Sequence, residues 1–70
     1  MVTNRIREWR ERRGLRGISK AALARRLGVS RSYVTRLEQG KVLPSLTLAL
    51  RIAQYFGCRV DELFFLQVEA

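Results

Sequence analysis

The sequence predicts an all-α fold, a compact globule of five helices, and three observations predict it. Apolar residues recur at helical spacing in segments of about a dozen residues. Most segments open on Ser or Asn and close on Gly, residue types that satisfy free N–H groups at one end and take a left-handed turn at the other. Strand-like alternation is absent until Phe65-Leu66-Gln67-Val68, which either pairs with Val2-Thr3 as a short terminal β-strand pair or frays.

Taken in order, Asn4 suits the N-cap of a first helix carrying Ile6, Trp9 and Arg13, and Gly14 ends it. Leu15-Arg16-Gly17-Ile18 forms a loop, and Ser19 caps a second helix from Lys20 to Leu27 with Leu23, Ala24 and Leu27 inward. Gly28 stops that helix, and Val29 alone separates it from Ser30, the cap of a third helix from Arg31 to Gln39. Val34 and Leu37 face inward there, and Gly40 closes the segment. After Lys41-Val42-Leu43-Pro44, Ser45 caps a fourth helix of about 12 residues ending at Gly57. A short fifth helix starts near Asp61, whose carboxylate is placed to accept the Leu63 or Phe64 N–H. The apolar residues of helix four, from Leu46 to Phe56, sweep roughly 220°, well beyond the ~100° stripe of a surface helix. Either helix four is surrounded by its neighbours, or part of it meets a second copy.

A chain of 70 residues, 47% hydrophobic with one Pro, makes one small packed domain spanning 1–70. No apolar run approaches the roughly 20 residues of a membrane span, and Met-Val-Thr-Asn-Arg lacks the apolar stretch of a signal peptide. The expectation is a cytoplasmic protein without a membrane partner. Cys58 is the single cysteine and there is no His, so no internal disulfide, metal site or cofactor is expected. Without clustered carboxylates beyond Asp61-Glu62 or a glycine-rich phosphate loop, the chain does not read as an enzyme. Charge is more informative. Residues 1–41 carry 12 of the 14 basic residues and 3 of the 6 acidic ones, leaving residues 42–70 near neutral. Such asymmetry gives one region to a polyanion, nucleic acid before a membrane surface, and leaves the other for something else.

Helices two and three concentrate that information. A sharp corner needs a small residue at the crossing, a glycine that tolerates positive φ, and apolar anchors on both sides. Ala24, Gly28, Val29, Val34 and Leu37 supply them. The outward face of helix three then shows Arg31, Ser32, Thr35 and Arg36, with Gln39 at its end and no carboxylate before Glu38. Arginine can bond guanine O6 and N7 together, Ser and Thr reach several bases, and a B-form major groove admits one helix.

The run Ala-Ala-Leu-Ala-Arg-Arg-Leu-Gly-Val-Ser-Arg-Ser-Tyr-Val-Thr-Arg-Leu-Glu-Gln-Gly-Lys over 21–41, followed by Pro44-Ser45-Leu46, resembles the lambda-repressor-like (Cro/XRE) helix-turn-helix transcriptional regulators. The resemblance extends over about Asn4 to Phe64. It implies a helix-turn-helix over about 20–39, with base-reading roles for Arg31, Ser32, Thr35 and Arg36. It places Lys20, Tyr33, Gln39 and Lys41 at positions that touch the DNA backbone. Arg10 and Glu38 match an ion pair joining helix one to the end of helix three. Two departures stand out: Lys20 replaces a common Gln, and Leu15-Arg16-Gly17-Ile18 is about two residues longer than the usual connection.

The wide apolar arc of helix four favours a homodimer, and the resemblance adds dimer contacts near helix five, so the C-terminal part, about 46–70, is expected to serve as core and interface. Leu50, Tyr55, Cys58, Arg59, Val60, Phe65 and Leu66 are the candidate interface residues. The expected function is a transcriptional regulator, acting as a repressor on double-stranded DNA with a roughly palindromic operator. The alternative is a protein-interaction module on the same fold, such as a bridging coactivator or an antitoxin component, bound to a protein partner.

Overall fold

The computed structural model describes residues 2–13 and 16–67. Along the chain lie β1 (Val2–Asn4), α1 (Ile6–Arg12), α2 (Lys20–Leu27), α3 (Arg31–Glu38), α4 (Leu46–Phe56), α5 (Val60–Leu63) and β2 (Phe64–Leu66). Five helices and a small sheet match the expected architecture. The expected ends at Gly14 and Val68 lie outside the described residues.

Three helices begin as their cap chemistry dictates. The side-chain oxygens of Ser19, Ser30 and Ser45 accept the backbone N–H of Ala22, Tyr33 and Leu48 at 3.0, 3.0 and 3.1 Å. Each bond satisfies one donor that the first helical turn leaves free.

The other two helices start differently from the sequence expectation. Arg5, not Asn4, holds the N-cap position of α1. Asn4 is extended in β1, opposite Phe64, so its backbone is committed to the sheet, while its Oδ1 still accepts the Ile6 N–H at 3.2 Å. In α5 the cap position is Arg59 and the helix begins at Val60. Glu62 Oε1 accepts the Arg59 N–H at 2.9 Å, and Asp61 pairs with the Arg59 guanidinium at 3.0 Å instead of capping. The chain leaves α5 after Leu63 because Phe64 is already extended in β2.

The terminal residues pair rather than fray. β1 and β2 are antiparallel with Val2 opposite Leu66, Thr3 opposite Phe65 and Asn4 opposite Phe64. The Arg5 N–H donates to the Leu63 carbonyl at 2.9 Å, carrying the bonding on to the start of α1.

Every helix sends at least one side chain to a common core: Ile6 from α1, Leu23 from α2, Val34 and Leu37 from α3, Ile52 from α4 and Leu63 from α5 are all fully buried. Burying a side chain of this kind contributes about 1.5–3 kcal/mol, so this shared core is the main term holding the short helices together. Trp9 is half-buried against it, with its indole N–H directed to the Glu62 carbonyl at 3.4 Å. Helix α4 buries Ala49, Ile52, Ala53 and Phe56 but leaves Leu46 73% and Leu50 51% exposed, so its neighbours do not surround it. No helix of the described residues is long and apolar enough to cross a membrane.

Candidate nucleic-acid interface

The corner between α2 and α3 is built at Gly28, whose φ of 73° lies in the left-handed region. That turn lets the Val29 N–H donate to the Ala24 carbonyl at 3.0 Å, closing the end of α2. The Ser30 cap opens α3 two residues later. Leu23, Ala24, Leu27, Val34 and Leu37 are all buried between the two helices and the rest of the core.

Burial of Val34 and Leu37 fixes which side of α3 faces away. At about 100° per residue, Arg31, Thr35 and Gln39 form one row and Ser32 and Arg36 a second beside it. Together they occupy an arc of roughly 140° opposite the buried pair. Arg31, Ser32, Arg36 and Gln39 are exposed, and Thr35, in the middle of the first row, is half-buried. Glu38 follows at the edge of this arc, but its charge is buried. Its carboxylate side chain is only 6% exposed and receives Arg10 Nε at 2.8 Å and Nη2 at 3.4 Å. The arc is therefore free of exposed carboxylates.

Lys20 is the half-buried first residue of α2, and Lys41 is exposed just beyond α3. The Lys41 N–H donates to the Arg36 carbonyl at 2.9 Å, which folds the chain back over the last turn of α3. Tyr33 is half-buried against the core. Lys20, Arg31, Arg36 and Lys41 belong to none of the ion pairs among the described residues, so their charge is uncompensated.

Two polar ties hold the far end of α3. Arg10 binds Glu38 and also donates from Nη1 to the Ile18 carbonyl at 2.9 Å, so one guanidinium joins α1, α3 and the loop before α2. Asn4 supplies the second tie, donating from Nδ2 to the Leu37 carbonyl at 2.9 Å. Sequence reasoning missed this second role. An Asn before a helix reads as a cap, and nothing local announces a partner 33 residues away.

Two of the candidate interface residues of the C-terminal part, Leu50 and Tyr55, lie on different sides of α4. Leu50 lies beside Leu46 on one flank of α4, whereas Tyr55 is about 140° further round. Tyr55 is half-buried beneath the guanidiniums of Arg13 and Arg26, 4.4 and 5.5 Å from its ring centroid. Cys58 and Val60 are half-buried against the core, Arg59 is exposed, Phe65 is half-buried under the Arg5 guanidinium, and Leu66 is 72% exposed. Burial, and then the Glu62 carboxylate, push the Cys58 thiol above its ordinary pKa. Among the described residues no group of His, Cys, Asp and Glu could hold a metal ion.

A family model described as "Helix-turn-helix" matches residues 6–63. Similar proteins include one from Archaeoglobus fulgidus, 42% identical, with the match covering 97% of this chain and 93% of the relative. One from Methanocaldococcus jannaschii is 42% identical over 74% of this chain and 79% of its own length. A Bacillus subtilis relative is 36% identical over 97% of this chain and 98% of its own length. All three carry the name uncharacterized HTH-type transcriptional regulator.

Proposed function

The chain belongs to the helix-turn-helix family of transcriptional regulators, and on that premise we propose that it reads double-stranded DNA by laying α3 in the major groove. The observation that carries this reading is the exposed, carboxylate-free arc of Arg31, Ser32, Thr35, Arg36 and Gln39, opposite the buried Val34 and Leu37. Arg31 and Arg36 select guanine through bidentate bonds, and Ser32 and Thr35 read the neighbouring bases. Lys20, Tyr33, Gln39 and Lys41 hold phosphates, which supply affinity and register without sequence information. Arg10, Glu38 and Asn4 set the angle of α3 without touching DNA.

The protein acts in the cytoplasm as a homodimer that represses by occluding a promoter. Leu50 and Leu66 are the exposed apolar residues of the C-terminal part that support the dimer, and Cys58, Arg59, Val60 and Phe65 complete the proposed contact. Tyr55 contributes less than Leu50, since two arginines already cover its ring. A two-fold axis places the reading helices about 34 Å apart, so the operator is roughly palindromic.

Selection from a randomised duplex pool at near-physiological salt, with the solution mass measured alongside, tests this reading. The expected result is a two-fold motif with half-sites about 10 base pairs apart, bound by a dimer. Replacing Arg31 or Arg36 with Ala then costs about 1–3 kcal/mol at one base position. No enriched motif, with binding that collapses as salt rises, would leave only phosphate attraction. The exposed Leu43, Leu46 and Leu50 then favour the second reading, an interaction module for a protein partner.

A further inference from the structure

Arg13 beyond α1, Arg26 and Leu27 at the end of α2, and Arg51, Gln54 and Tyr55 on α4 line a recess of about 510 Å³. Three guanidiniums from three separate segments line it, and among the described residues no carboxylate does. None of the three belongs to an ion pair among the described residues. Arg13 and Arg26 share one aromatic ring, that of Tyr55, which in turn packs on Phe56 with centroids 5.3 Å apart. A second recess of about 280 Å³, lined by Trp9, Arg12, Arg13 and Phe56, adjoins the first through Arg13. The basic lining is therefore continuous from α1 across to α4.

Like charges that converge repel, and an open recess without counter-charge focuses the positive potential that results. Arg13 and Arg26 lie over the Tyr55 face, a contact that leaves their N–H edges available. Those edges match oxyanions bearing two or more acceptor oxygens, and the Gln54 amide adds a neutral donor. One charge would be met by a single arginine. Three, with Arg12 next in line, fit a compound with several negative charges.

We propose that this recess binds a small, multiply charged phosphate compound of the pyrophosphate class. Its residues are not those of the α3 arc, so the proposal stands independently of how α3 reads DNA. The bound anion bridges α1, α2 and α4 and lies beside the last turn of α2, immediately before the Gly28 corner.

Calorimetric titration of the full chain with pyrophosphate at near-physiological salt tests the proposal. Saturable binding of one ligand per chain is expected, weakened about tenfold by Arg26→Gln and by Arg51→Gln. Arg7→Gln removes the same charge from an exposed residue outside the recess and should leave the affinity unchanged. Equal weakening by Arg7→Gln, or titration without saturation, would overturn the site in favour of general charge attraction. A second arm uses a short duplex. If Arg26→Gln and Arg51→Gln each lower its salt slope by about 1 while pyrophosphate fails to saturate, the recess meets DNA backbone and the free-ligand proposal is wrong.

Discussion

Two residue-scale features carry more weight than their exposure suggests. Arg10 and Glu38 are 12% and 6% exposed at the side chain, so their attraction is poorly screened and either charge left alone is costly. Glu38→Ala should lower stability by about 3–5 kcal/mol, measured by urea denaturation. Arg10→Met combined with Glu38→Leu should recover most of that loss, because no charge is then stranded. Recovery failing would mean that the tie to the Ile18 carbonyl matters more than the pair. Gly17 is the second feature. Its φ is 70°, and a Cβ there would stand 2.7 Å from the Glu11 carbonyl oxygen, whereas a Cβ on Gly28 would meet nothing within 4 Å. Gly28→Ala should therefore cost only the left-handed backbone, about 1–2 kcal/mol, and Gly17→Ala about 2–5 kcal/mol in all. Equal losses in denaturation would refute the close approach. The Arg10–Glu38 contact was suggested by a family pattern. The constraint on Gly17 was not legible, because loop composition says nothing about which backbone lies across the way.

At the scale of elements, legibility followed the range of the interactions. Ser19, Ser30 and Ser45 begin helices through bonds to residues three positions on, and such local chemistry is written in a short window. Asn4 gives up the cap position because pairing with the distant β2 claims its backbone, and Asp61 because α5 already begins at Val60, where Glu62 accepts the Arg59 N–H. The wide apolar arc of α4 was visible, but not which part of it would remain uncovered. The outward face of α3 was readable from the positions of Val34 and Leu37 alone, since one buried pair fixes the rotation of so short a helix. A comparison of caps follows from this. Ser30→Ala and Ser45→Ala should each lower stability by about 1 kcal/mol. Operator affinity, followed by fluorescence anisotropy, should drop only for Ser30→Ala, because that cap organises the turn holding Arg31 and Ser32. An equal drop for both would detach the α3 terminus from DNA recognition.

Across the whole molecule, two groups of basic residues without ion pairs among the described residues stand out. One is the α3 arc with Lys20 and Lys41. The other, the recess around Tyr55, gathers residues far apart in sequence and could not be seen in a charge count. The terminal sheet has a different kind of consequence, one of timing. Helix α2 meets α3, and α4 meets α5, after short loops, but Val2 can meet Leu66 only after most of the intervening residues have been drawn in. Closing that long loop costs entropy that early contacts cannot offset, so the β1–β2 pairing should form late on the folding route. Val2→Gly or Leu66→Gly should then accelerate unfolding while leaving the refolding rate nearly unchanged, as read from the two arms of a chevron plot. A marked slowing of refolding would instead make the joined ends part of the nucleus, and the helices would assemble around the sheet rather than before it.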